Sequence, residues 1–186
     1  MSEIADRYRR RAAGFTARVE AVPADRWASP SPCDDWTARD VVRHVVDTSA
    51  MFLGFIGQPA PDGPSVDEDP VGAWTSARNA IQAALDDPAI ASLEYEGQLG
   101  RAQFEHGVDR FLSADALVHT WDLARAAGLD EHLDPDDVRA SLDAMSAMEE
   151  QVGELMRSSG AFGPQVDPPA DADEQTRLLA FLGRKA

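Results

Sequence analysis

The stretch "SADALVHTWDLARAAG", residues 113–128, places Asp115, His119 and Asp122 among Ala, Leu, Val and Trp. Its apolar residues recur at helical spacing and Gly128 is a natural stop, which predicts a helix from about Val108 to Ala127. In an α-helix, positions four apart are offset by about 40° around the axis and about 6 Å along it. Asp115 and His119 therefore share a stripe and can point at one ion, as the paired histidines of a metalloprotease helix do. Asp122 lies one turn beyond His119, where it can accept from that ring and orient it. A histidine on an apolar helix face is more often a hydrogen-bonded core residue, and a first-turn carboxylate often only faces solvent. The spacing alone leaves both readings open.

A third ligand has to come from another helix. His44, in "ARDVVRHVVD", sits mid-helix among valines where an imidazole has no obvious packing role. Two imidazoles and a carboxylate form a set suited to Zn²⁺, Ni²⁺ or Fe²⁺, with positions left for water or substrate. Of the other histidines, His106 falls in loop-like sequence and His132 in the linker "LDEHLDP", so neither is assigned a role.

The rest of the chain reads as helices and connections. Ile4, Tyr8, Ala12, Phe15 and Val19 repeat at helical spacing over residues 3–21. Pro23, Pro30 and Pro32 punctuate a loop, after which Thr37 with Asp40 forms a capping box for a second helix to about Ile56. Asp69–Pro70 starts a third helix through Trp74, Ala77, Ile81 and Leu85. "SLEYEG" alternates apolar and polar residues, which suits a short strand or an extended loop. Asp134–Pro135 repeats the start signal for a helix carrying Val138, Leu142, Met145, Met148, Val152 and Leu155 along one side. A Gly/Pro-rich tail and a short helix from about Asp173 to Leu182 follow. The expectation is an all-α helical bundle in a single domain over residues 1–186.

Composition narrows the partners. The 186 residues are 44% hydrophobic, within the globular range. Thirty-three acidic against 17 basic residues give a net charge of −16, a field that repels a phosphate backbone, so nucleic acid is not expected. The most apolar run is broken by Arg43, His44 and Asp47 and is too short and polar to span a bilayer, and the N-terminus lacks the apolar run of a signal peptide. One cysteine allows no intrachain disulfide, which is compatible with a cytoplasmic location. Cys33 neighbours two aspartates that disfavour its thiolate, so it is not read as a nucleophile. Trp36 and Trp121 read as core or pocket-wall residues. Arg78 could face the interior and hold an anion, though an exposed arginine is the commoner outcome.

"SPCDDWTARDVVRHVVD" taken together with "DALVHTWDLARAAG" resembles the metal-binding maleylpyruvate isomerase-like family of the DinB-like superfamily. The pattern Pro32-Cys33-x-x-Trp36-Thr37-x-x-Asp40-x-x-x-His44 matches its first motif. Asp115, three residues, then His119-Thr-Trp-Asp-Leu-Ala matches its second, and the tail "PADADEQTRLLAFLGR" resembles its ending. The resemblance implies a DinB-like up-down-down-up four-helix bundle with extra C-terminal helices and a divalent metal on His44, Asp115 and His119. It departs at the carboxylate, where the isomerase has the longer Glu, and the chain has no residues for that enzyme's additional C-terminal domain. The implied activity is that of a mycothiol-dependent transferase or isomerase acting on a small electrophile, and the arginine-rich composition, with Lys185 the one lysine, agrees with an actinobacterial source. The alternatives are a small metal-dependent hydrolase and a non-catalytic metal- or ligand-binding protein. The expected partners are a small-molecule thiol or electrophile and, for the chain itself, a second copy in a homodimer.

Overall fold

The protein was analysed as a computed structural model that describes residues 2–97, 100–158 and 164–185, the side chains of 150–152 and 154–158 excepted. The chain forms two compact units, residues 1–131 and 132–186.

In the first unit the helix starts follow local chemistry. Helix α1 (Glu3–Ala21) begins where the Ser2 hydroxyl accepts from the Ala5 amide. Helix α2 (Ala38–Phe55) opens on the predicted capping box: Thr37 accepts from the Asp40 amide while the Asp40 carboxylate accepts from the Thr37 amide at 3.0 Å. Helix α3 (Pro70–Asp86) is capped by Asp69, with Pro70 in the first turn, where its missing N–H costs nothing. A short α4 (Pro88–Ala91) leads into β1 (Glu94–Gly97), which pairs antiparallel with β2 (Gly100–Gln103) in the register Glu94↔Gln103 to Gly97↔Gly100. The alternation of "SLEYEG" is thus a strand, and the short α4 has no periodic signal in the sequence.

The fourth bundle helix departs from its expected form. It starts earlier, as α5 (Phe104–Gly107), passes through a single π turn (Val108–Leu112), and continues as α6 (Ser113–Ala127). His106 consequently lies in a helical turn and not in a loop, because Phe104 and Gly107 on the same turn are buried and anchor it. Gly128 ends α6 at φ 72°, the left-handed geometry that glycine takes without strain.

Ion pairs fix the helix directions. Arg7 meets Asp109 at 2.6 Å and Arg18 meets Asp130 at 3.3 Å, so α1 and α6 run the same way. Arg9 reaches Asp86 at 3.0 Å and Trp74 donates to Thr16 at 2.9 Å, so α3 runs against α1. Arg43 meets Asp67 at 2.7 Å, which puts the starts of α2 and α3 side by side. The order is up, down, down, up, with α1 and α2 each packed against α3 and α6. The centre holds Tyr8, Phe15, Val41, Val42, Trp74, Ile81 and Leu123, and Phe15 meets Trp74 edge-to-face at 4.9 Å.

The second unit contributes α7 (Pro135–Ser158) and α8 (Glu174–Phe181), which pack on one another. Asp134 accepts from the amides of Asp136 and Asp137, and Asp173 from that of Thr176. Val138, Met145 and Met148 are buried and Leu142 is half-buried, while the side chains of Val152 and Leu155 lie outside the described residues. The molecule is all-α in class: a DinB-like bundle followed by extra C-terminal helices, with β1 and β2 the strands among the described residues.

Candidate metal centre

The seam between α2 and α6 brings His44, Asp115 and His119 together. His44 Nε2 lies 3.1 Å from Asp115 Oδ2, and His119 Nε2 lies 3.2 Å from Asp115 Oδ1. The two imidazole rings sit 4.9 Å apart, nearly edge-to-face. The π turn directly precedes α6. Its extra residue shifts the helix phase between the Phe111 region and the stripe bearing Asp115, and such turns cluster at functional sites.

Asp115 Oδ2 is the informative atom. It is buried and makes no hydrogen bond, although His44 Nε2 is only 3.1 Å away. A buried carboxylate oxygen without a well-aligned donor is costly, and two imidazole nitrogens facing the two oxygens of one carboxylate are a donor set that a cation can occupy. The donor set therefore fits a divalent transition metal on physical grounds.

On the far side of the His119 ring, Nδ1 lies 2.8 Å from Asp122 Oδ2. An ionised carboxylate only accepts, so Nδ1 donates and Nε2 is the nitrogen directed at Asp115. Asp122 is fully buried and His119 nearly so. Burial pulls the His119 imidazolium down, but Asp115 first and Asp122 after it outweigh burial and hold it well above its ordinary value. Burial likewise pushes the Asp115 carboxyl up, and the His119 and His44 rings overcome that and keep it ionised far below the usual carboxylate range. Asp115 thus stays ionised and favours positive charge at the centre.

Two further side chains complete the surroundings. The Trp36 ring lies 4.9 Å from that of His44 and stacks 6.0 Å from that of His119, forming a wall as expected of it. Cys33 Sγ approaches the same Asp122 oxygen at 3.5 Å, and Cys33, His119 and Asp122 form a second trio whose donor atoms lie within 4.8 Å of one another. Sequence reasoning assigned Cys33 no place in the site. The signal was its position three residues before Trp36, in a loop drawn back on itself by a bridge between Pro30 and Thr37. His106 and His132 are exposed and belong to neither trio. Trp121 is buried on α6 with the Arg125 guanidinium over its ring. Arg78 is half-buried and donates to Thr16 and Asn79, bridging α1 and α3.

Fold and site together define a helical bundle with a His–Asp–His candidate metal centre on one seam. Residues 8–71 match the family described as the mycothiol maleylpyruvate isomerase N-terminal domain, in agreement with the resemblance read from the motifs. That segment carries His44 and Trp36, while Asp115 and His119 lie beyond it. The chain is also 28% identical over 171 residues to the uncharacterized protein Rv0738 of Mycobacterium tuberculosis strain ATCC 25618 / H37Rv, covering 91% of each chain. The uncharacterized protein MT0763 of strain CDC 1551 / Oshkosh matches to the same extent, 28% over 171 residues. No solved structure matches the chain.

Proposed function

We propose that the protein binds a divalent transition metal, zinc foremost and nickel or iron as alternatives, through His44, Asp115 and His119. We further propose that it uses this centre with mycothiol to modify a small electrophile by transfer or isomerisation. The observation that carries the reading is the Asp115 carboxylate set between two imidazoles, Oδ2 toward His44 and Oδ1 toward His119, with the His119 ring oriented from behind by Asp122. When bound, the metal would supply Lewis acidity and acidify a thiol ligand.

The chain's own residues have separable parts in this scheme. Asp122 holds the His119 tautomer and ring plane, which an outer carboxylate does for a metal-bound histidine. Asp115 supplies the negative charge that favours a cation over a neutral ligand. Trp36 shields one side of the two rings from water. His44, 35% exposed against 6% for His119, marks the side from which a substrate enters. The match of residues 8–71 to a mycothiol-related family supports mycothiol as the thiol, and the mycobacterial relatives support an actinobacterial source. No helix among the described residues is long and apolar enough to cross a membrane, and a cytoplasmic location is part of the proposal.

Calorimetric titration of the metal-loaded protein with mycothiol, repeated after chelation, tests the scheme. Binding that disappears with the metal supports it. Binding unaffected by chelation would separate the thiol from the metal, and no binding in either state would remove the thiol.

A further inference from the structure

The exposed large hydrophobic side chains among the described residues are Met51 at 49%, Phe55 at 42% and Leu93 at 40%, and they are not scattered. Met51 and Phe55 lie seven and eleven residues beyond His44 on α2. At about 100° per residue, both return to within about 20° of His44 on the helix surface, about 10 and 16 Å further along the axis. Leu93 directly precedes β1, whose Tyr95 stacks on Phe55 at 5.3 Å with the rings 4° from parallel. Phe52 closes the floor, 6.0 Å from both Tyr95 and Phe111 of the π turn. An aromatic strip therefore starts two turns from the candidate metal centre and runs along the same stripe of the same helix.

We propose that this strip receives the apolar, aromatic part of a small substrate whose polar end reaches the metal centre at His44. The inference rests on the metal reading above and adds to it a substrate class. Two observations favour a small molecule over a second copy of the chain. The strip lies on the same stripe of α2 as half-buried His44, with Asp47 and Thr48 between, at a distance that one ring and a three- or four-atom spacer can bridge. Its three exposed side chains also offer on the order of 300 Å² together, where a stable protein interface needs about 800 Å² per partner. A patch of this size is comparable to the largest apolar patch of a typical monomer, which is often functional.

The test uses the full-length zinc-loaded protein and two hydroxamates with the same metal-binding head. Acetohydroxamate reports the centre alone, and 4-phenylbutanohydroxamate adds a phenyl tail. The tailed probe should bind roughly tenfold tighter. Met51→Ala and Phe55→Ala, both at exposed positions, should remove that gain and leave acetohydroxamate binding unchanged. In protein labelled at methionine methyl groups, the tail should also shift the Met51 resonance by its ring current, with the buried Met145 and Met148 methyls unmoved. Tight acetohydroxamate binding with no gain from the tail and no Met51 shift would overturn the substrate class and leave the metal reading standing. The chelated protein titrated with 4-phenylbutanol separates the converse case. A Met51 shift there supports the strip even if neither hydroxamate recognises a metal, and its absence in both arms sinks the strip on its own.

Discussion

Asp122 Oδ2 accepts the Nδ1–H of His119 at 2.8 Å, and the same ring presents Nε2 to Asp115 at 3.2 Å. The two carboxylates thus grip one imidazole by its opposite edges from a single helix, three residues after it and four before it. This requires an uninterrupted α-helical phase from Asp115 to Asp122, which α6 provides because the π turn ends at Leu112. A residue inserted between Asp115 and His119 would rotate Asp115 by about 100° and take it off the seam.

The two carboxylates should respond differently to substitution. His119→Ala removes a donor atom and should abolish metal retention, measured by elemental analysis after dialysis. Asp122→Asn keeps the volume and loses the fixed acceptor, so affinity should fall about 10–100-fold without vanishing. If Asp122→Asn empties the protein as completely as His119→Ala, Asp122 is itself a ligand and the assignment above is wrong.

Much of this arrangement was legible in the sequence. The capping box at Thr37–Asp40, the Asp69–Pro70 start and the Gly128 stop are local signals, and each marks an observed helix end. The Asp115/His119/Asp122 stripe needed only helical periodicity. The π turn and the helical start at Phe104 were not legible, because π geometry in "VDRFL" is set by packing and leaves no distinctive spacing. The approach of Cys33 to Asp122 was hidden for a related reason: it depends on a loop brought across 89 residues of chain.

The bundle should fold whether or not a metal is bound. Its centre is a continuous apolar core from Ala5 through Leu85 to Leu123, and the candidate ligands lie on a seam at its edge. Such a core does not depend on one ion as a zinc finger does. Chelation should lower the melting temperature, since a ligand that binds only the native state stabilises it. The helical circular dichroism at 25 °C should be unchanged. Loss of that signal on chelation would make the ion structural.

The start of α2, which carries His44, should weaken in acid. The Asp40 carboxyl lies below its ordinary value of 3.8, chiefly because it accepts from the Thr37 hydroxyl and then from the Thr37 amide. A carboxyl depressed by folding contributes stability that is present above 3.8 and lost as pH falls through its lower native value. Thr37→Ala should therefore cost about 0.5–2 kcal/mol at pH 7. The gap between variant and parent, followed by urea unfolding, should narrow steadily below pH 3.8. A gap independent of pH would mean that the Asp40 charge contributes nothing to the cap.

Gly107 tests the aromatic end of the molecule, where two opposing effects can be compared. Its backbone is helical, at φ −65° and ψ −44°, so by propensity alone Ala should stabilise the turn by up to about 1 kcal/mol. A Cβ there would collide with the Tyr95 hydroxyl and come within 2.9 Å of Tyr95 Cζ, closer than real side chains approach. Tyr95 cannot simply swing away, because its ring stacks on Phe55 at 5.3 Å and touches Phe52. Overpacking of this kind costs about 1–3 kcal/mol, so the clash should outweigh the propensity gain and Gly107→Ala should be destabilising. The cost should shrink in a Tyr95→Phe background, where the nearest atom is gone, and a double-mutant cycle by thermal or urea unfolding measures the difference. A stabilising Gly107→Ala, or a cost indifferent to the Tyr95 hydroxyl, would show that the ring does not rest on this glycine.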